Sequence, residues 1–176
     1  MSRRAKKKKG GLDLGSFGGG RAAAKPPKAK TLSWRLPPEE SLSDWAIKVK
    51  AEGSSRRAET YHCHRSVLGV GPRHSGYFKQ LFQGGHFTEN ADATSEHELK
   101  ASAAEAFPQL LDFVYTGKLE VSTQHAVALC DLANYYEIRP LFDEVIAFMQ
   151  DDMQTGAASE TAPIYQIGRA SCRERV

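Results

Sequence analysis

Two alternating runs fix how this chain begins to fold. In Asp44 to Lys50, "DWAIKVK", Trp45, Ile47 and Val49 fall on one side and Ala46, Lys48 and Lys50 on the other. That period of two is the pattern of a half-buried strand. A polar turn, "EGSSRR", follows, and "AETYHCH" returns with Tyr61 and Cys63 on one face. The pair predicts a β-hairpin whose apolar face carries Trp45, Ile47, Val49, Tyr61 and Cys63.

Beyond the hairpin the period changes. "RSVLGVGP" predicts a short helical turn broken at Gly71-Pro72. Ser75 is placed to cap "GYFKQLF", whose Tyr77, Phe78, Leu81 and Phe82 form one stripe, and Gly84-Gly85 ends it. "HFTENADATSE" predicts a polar loop and "HELK" a short strand. Three longer helices follow. In "SAAEAFPQLLDFVYTG", Phe107, Leu110, Leu111 and Val114 keep helical spacing up to Gly117. Ser102 and Glu105 match a capping box, but Pro108 lies deep inside, so either the helix starts later or its first turn is irregular. "STQHAVALCDLANYYEI" puts Ala126, Leu129, Cys130, Ala133 and Tyr136 on one face. "RPLFDEVIAFMQ" opens with Pro140 in its first turn and packs through Leu141, Val145 and Phe148. The expected class is α+β, mostly helical: a small sheet of short strands flanked by a cluster of about five helices.

The net charge of +3 hides an uneven distribution. Residues 1–30 carry ten Lys/Arg against one acid, a net +9, whereas residues 31–166 carry eleven basic and nineteen acidic side chains, a net −8. The basic stretch is rich in Gly, Ala and Pro and has too little apolar surface to offset its ordering entropy, so residues 1–38 are expected to form a disordered tail. Arg3, Arg4, Lys6, Lys7, Lys8 and Lys9 form a candidate nuclear-import signal for an import receptor; the alternative is a solubilising tail. With Phe17 the only aromatic in residues 1–30, specific nucleic-acid recognition is not expected. No run is long and apolar enough to span a membrane, and no secretory signal follows the basic start. Three scattered cysteines argue against a disulfide framework. The expected compartment is cytoplasm or nucleus.

The last ten residues, "IGRASCRERV", resemble an in-frame translation of a widely used short-read sequencing adapter. Residues 167–176 are therefore set aside as artefact, and the natural chain is expected to continue beyond Tyr165. Residues 154–166 are expected to be a linker or the start of a helical extension, with Ser159 as its cap.

"YHCH", residues 61–64, raises the question of chemistry. On a strand, His62 and His64 share one face and Cys63 the other, so these three residues do not converge on a metal. A zinc site needs further ligands, yet there is no C-x-x-C or H-x3-H, and His74, His86 and His97 are isolated. Cys63 and Cys130, expected in the core, are inert there. No G-x-S-x-G, P-loop or G-x-G-x-x-G sits in a strand-to-helix context. No catalytic, metal or cofactor role is expected.

The order "SDWAIKV … YHCHRSVL … SGYFKQLF … HELK … FPQLLDFVYTGKLEV … ALCDLANYYEIRPL" resembles the BTB/POZ domain family, over 39–153 as a domain. Asp44, Ile47 and Val49 match its strand opening, with Trp45 in place of a small apolar residue. Tyr61, Cys63, His64, Arg65, Val67 and Leu68 match the hinge into its first helix. Ser75, Tyr77, Phe78 and Phe107 to Gly117 match two later segments. The resemblance implies protein–protein interaction rather than enzymatic activity, with homodimerisation through the first helices and N-terminal strand region. Candidate dimer residues are Asp44 and Arg65, as a charged pair, with Leu68 and Val70. It further implies contact with a cullin scaffold near Tyr115, as in substrate adaptors of ubiquitin ligases. The alternative is a nuclear transcriptional or chromatin regulator that dimerises through the same domain. Gly69, Gly71 and Gly76 would make the dimer helices weak.

Overall fold

The computed structural model describes residues 32–84 and 87–155. The import candidates Arg3 to Lys9, Gly85, His86, the Ser159 extension and residues 167–176 lie outside the described residues. In chain order the elements are α1 (Pro38–Ser41), β1 (Trp45–Ala51), β2 (Glu59–Cys63), α2 (Arg65–Gly69), α3 (Gly76–Gln83), α4 (Thr88–Asp92), β3 (Thr94–Leu99), α5 (Ala101–Thr116), α6 (Thr123–Tyr135) and α7 (Arg139–Gln154).

The hairpin forms as its alternation requires. β1 pairs antiparallel with β2, Ile47 opposite Tyr61 and Trp45 opposite Cys63, and all four side chains are buried. The third strand adds on the other side of β1, parallel to it, giving the order β2-β1-β3. Among the described residues both outer strands therefore keep one unpaired edge within this sheet. β3 runs from Thr94, three residues before the expected "HELK", and the stretch taken as polar loop holds the one-turn helix α4. Asn90 holds that turn: its side-chain amide donates to the carbonyls of Leu81 (2.7 Å) and Gly84 (2.9 Å). A period of two was unreadable there because Thr94, Glu96 and Glu98 alternate with Ser95 and His97, both polar yet buried.

Seven helices are described, against about five expected; the additional ones are the single turns α1 and α4. Helices α5, α6 and α7 pack in succession, and α5 also lies against β1. α5 begins at Ala101, runs through Pro108 and ends at Gly117, whose φ of 70° is left-handed and suits a residue without a Cβ. Its N-cap is Lys100 with no side-chain hydrogen bond, so the Ser102–Glu105 capping box does not form. Ser75 does cap α3, accepting the Phe78 N–H at 3.1 Å, and its own hydroxyl donates to the Tyr136 carbonyl at 2.5 Å.

The core is centred where the sheet meets these helices. Phe78 and Tyr136 stack at 5.4 Å and 8°, and Phe107 stands between Tyr136 and Tyr61. Trp45 is buried too, its indole N–H donating to the Ser95 hydroxyl at 3.2 Å and its ring edge meeting Phe82 at 4.9 Å. On α7 the buried residues are Leu141, Val145 and Met149, with Phe148 half-buried beside them. The described residues also include the end of the stretch expected as tail. Trp34 donates to Asp112 on α5 at 3.0 Å and meets Tyr61 edge-on, and Arg35 forms an ion pair with the same carboxylate.

Candidate protein-interaction surfaces

The link between β2 and α2 is built by the "HCHR" residues. The strand stops at Cys63, and His64 becomes the N-cap of α2 instead of continuing beside His62. Its ring turns inward and is 5% exposed. Nε2 lies 2.7 Å from the Ser41 carbonyl, which can only accept, so Nε2 carries the proton. In the neutral ring Nδ1 then accepts the Tyr115 hydroxyl at 2.8 Å, and the same oxygen accepts the His64 backbone N–H at 2.9 Å. The Cys63 thiol lies against that hydroxyl as well; burial pushes the thiol up to about 12 and raises Tyr115 far above the ordinary phenol range. A thiol held protonated is no nucleophile. His64 is a latch joining α1, α2 and α5, and the shared face expected for His62 and His64 is not formed. Among the described residues no three His, Cys, Asp or Glu are grouped to hold a metal ion.

The candidate dimer residues divide into two kinds. Asp44 accepts the Arg65 backbone N–H at 2.8 Å, capping α2 from outside the helix. The Asp44–Arg65 side-chain pair expected from the resemblance is absent within the protomer. The Arg65 guanidinium instead lies 4.5 Å over the Trp45 ring and 5.4 Å from Phe82, and its buried Nε has no hydrogen-bond partner. Leu68 is a correction: at 1% exposure it belongs to the core, because α2 turns that side toward the sheet. Val70 is on the surface at 70%. The sequence reading missed Leu42, which is 81% exposed just after α1 with φ of 57°, between Ser41, bonded to His64, and Asp44, bonded to Arg65. A solvent-facing leucine in a positive-φ turn has no periodic signal. Leu42 thus flanks one end of α2 and Val70 the other. Beside Val70 a shallow depression of about 240 Å³ is lined by Arg65, Gly69, Lys79 and Phe82.

Of the glycines expected to weaken these helices, Gly71 takes a φ of 99°, in the left-handed region, and the other two have packing reasons. A Cβ on Gly69 would stand 3.0 Å from the Phe82 ring, and one on Gly76 would stand 2.3 Å from the Glu137 carboxylate. Each marks a close approach rather than a loose helix.

Tyr115 is half-buried at the C-terminal end of α5, and its hydroxyl is committed inward to His64. It shapes this end of the molecule without offering a polar group to a partner. Next to it, Thr116 and Lys118 are exposed, and Arg73 reaches the Val114 carbonyl at 3.4 Å.

Comparison with known proteins agrees with this geometry. The family model for the BTB/POZ domain matches residues 35–153. Kelch-like protein 38 of Mus musculus is 29% identical over 91 residues, covering 52% of this chain and 15% of that protein. Kelch-like protein 21 of Danio rerio is 29% identical over 115 residues, covering 65% of this chain and 17% of its own length. The chain thus matches about one-sixth of these curated relatives. Among solved structures, the BTB domain of zebrafish PATZ1 superposes with a TM-score of 0.45 and 20% identity, covering 62% of this chain and 77% of that one. With the family model spanning most of its length, and with hairpin, latch and helices in the order the motifs require, the chain belongs to the BTB/POZ domain family, a family of protein-interaction modules.

Proposed function

We propose that this chain pairs with a second copy of itself through the face around α2 and serves as the platform of a substrate adaptor for a cullin-based ubiquitin ligase. The observation that carries the dimer is the placement of Leu42 and Val70, both largely exposed, at the two ends of α2. Burying such side chains against a partner stabilises by about 1.5–3 kcal/mol each. Arg65 supports the same face, because it lines the depression beside Val70 and Asp44 accepts its backbone N–H. The adaptor role is supported by the relatives: one matching protein of Danio rerio is named as having both kelch repeats and a BTB domain, and this chain matches 16% of it. A BTB unit joined to a repeat domain is the arrangement an adaptor needs, with one part holding the scaffold and the other the substrate. The cullin would be met at the C-terminal end of α5, which Tyr115 shapes from inside.

The basic stretch Arg3 to Lys9 favours a second reading, a nuclear regulator that dimerises through the same face and enters the nucleus by that signal. One pair of measurements separates the proposals. Sedimentation of the full chain at micromolar concentration should show a dimer that Val70→Asp dissociates and Asp44→Asn weakens. A monomeric wild type, or variants that sediment unchanged, would remove the dimer face. Cullin co-purifying with the dimer and lost on Tyr115→Ala supports the adaptor; nuclear retention that needs Lys6 to Lys9, with no cullin bound, supports the regulator.

A further inference from the structure

At the carboxyl ends of the parallel strands β1 and β3 lies a cleft of about 400 Å³, lined by residues of β3, of the start of α5 and of the end of α6. It includes none of the dimer or cullin candidates. Its charge is one-sided: Glu52, Glu98, Asp131 and Glu137 line it, against Lys100 alone. Lys100 stands 3.8 Å from Asp131, and Gln80 donates to Glu137 at 3.3 Å. Glu52 and Glu98 are exposed and form no ion pair among the described residues, although Lys50 stands opposite Glu98 in the β1–β3 register.

Two other features of the cleft favour a cation. Helix α6 ends on its wall with no basic residue in its last turn, so no cationic side chain of its own occupies that end. The last residue of that helix, Tyr135, lines the cleft and leaves 42% of its surface exposed, while Tyr77, Tyr136 and His97 hold the ring in place from behind. A fixed, exposed phenol ring beside carboxylates attracts a guanidinium by both its π face and their charge. A bare metal ion does not fit, because among the described residues no three acids converge on one point. A guanidinium, planar and able to stack on a ring while bonding carboxylates, suits this combination of groups.

The neighbouring element suggests how such a cation arrives. Among the described residues β3 has β1 on one side only, so its other edge presents unpaired backbone groups along Thr94 to Leu99, leading into the cleft. An open edge takes an extended peptide as an additional strand, with alternate side chains on each face. We infer that this edge and cleft dock an extended, arginine-bearing segment of a partner protein, which adds beside β3 and seats a guanidinium among Glu52, Glu98 and the Tyr135 ring. The main-chain bonds supply affinity, and the carboxylates select a basic sequence over an acidic one. This surface operates independently of the dimer and cullin proposals.

The test uses the full chain and a fluorescein-labelled peptide of alternating Arg and Val, followed by fluorescence anisotropy. Saturable binding is expected, with the dissociation constant rising roughly tenfold in the double variant Glu52→Gln/Glu98→Gln. Both side chains are exposed, so this variant keeps the fold. The control Glu39→Gln/Glu40→Gln removes the same charge from α1 and should leave binding alone. Methylating alternate backbone nitrogens of the peptide should abolish binding, since those N–H groups then cannot pair with the edge. No binding, equal loss in the α1 control, or undiminished binding of the methylated peptide each overturns the inference. Two further outcomes would assign the surface to another occupant and overturn it as well. One is a gain in peptide affinity when Lys6 to Lys9 are changed to Gln, which names the chain's own basic segment. The other is a change in sedimentation of the peptide-free double variant, which names a second copy.

Discussion

Ser75→Ala tests whether the face around α2 and α3 is held from behind. The Ser75 side chain is fully buried and makes two bonds: it accepts the Phe78 N–H at 3.1 Å and donates to the Tyr136 carbonyl at 2.5 Å. Losing an N-cap costs about 1 kcal/mol. The second loss is partial, because the Tyr136 carbonyl keeps a long bond from the Tyr77 N–H at 3.4 Å, so about 1–2 kcal/mol is added for a buried acceptor left under-satisfied. The sum is about 2–3 kcal/mol. Ser122→Ala is the matched control. Ser122 is also an N-cap, of α6, but its side chain makes no capping bond and is exposed, so its loss stays within about 0.5 kcal/mol. Urea unfolding of the full chain, followed by Trp34 and Trp45 fluorescence at one protein concentration, reads the difference. The midpoint should fall by roughly 1 M for Ser75→Ala, taking an m-value of about 2 kcal/mol/M, and barely move for Ser122→Ala. Equal shifts in the two variants would refute the reasoning, since residue type and cap position would then decide the cost rather than the buried bonds.

Three further outcomes follow from His97, Gly76 and Tyr115. Burial lowers His97 from the usual imidazole range to about 4, against a smaller opposing pull from Glu89. The unfolded chain therefore takes up the proton first as pH falls through about 6.5, and stability drops until about pH 4, where the folded state protonates too; the full loss is roughly 3 kcal/mol. His97→Phe should flatten that acid limb in a pH series of melting temperatures, and an unchanged limb would assign it to other groups. Gly76→Ala places a Cβ 2.3 Å from the Glu137 carboxylate and 2.8 Å from its Cβ, so unfolding should show about 1–3 kcal/mol lost to overpacking. Tyr115→Phe removes the oxygen that serves both the backbone and the ring of His64; a loss of about 1–3 kcal/mol is expected, with a melting temperature equal to wild type counting against the latch.

Periodicity made the larger elements legible. The hairpin, α3 with its Ser75 cap, and the core faces of α5 and α6 all follow from apolar residues at regular spacing. What escaped depends on groups whose role is set by distant partners. α4 is held by the Asn90 amide on two carbonyls before it in the chain, and β3 buries a serine and a histidine that read as polar loop. Strand alternation, carried one residue too far, put His64 beside His62, whereas Ser41 and Tyr115 draw its ring inward. Pro108 left the start of α5 undecided. The helix passes through it because the rest of its apolar face, Ala106, Phe107, Leu110 and Leu111, is buried, and such packing outweighs one missing backbone donor. Leu68 misled for the opposite reason: an apolar residue between Arg65 and Val70 is equally suited to a dimer face or a core, and only the turn of α2 decides.

The residues that carry the family resemblance and those that would meet a partner are largely different sets. Ile47, Val49, Cys63, His64, Phe78, Phe107 and Val114 are all buried, and Gly117 terminates a helix. They specify how the chain closes on itself. Leu42 and Val70 lie on the surface and fall outside the segments that carry the resemblance. This separation explains why the sequence names a fold more readily than a partner, and it has an energetic consequence. Exposed side chains contribute little to folding, so replacing Leu42 and Val70 together by serine should leave the melting temperature of the protomer nearly unchanged. If α2 is the dimer face, the same double variant loses most of the apolar area that pairing would bury. Assembly and folding should therefore come apart in that single variant, with cooperative unfolding retained and dimer lost.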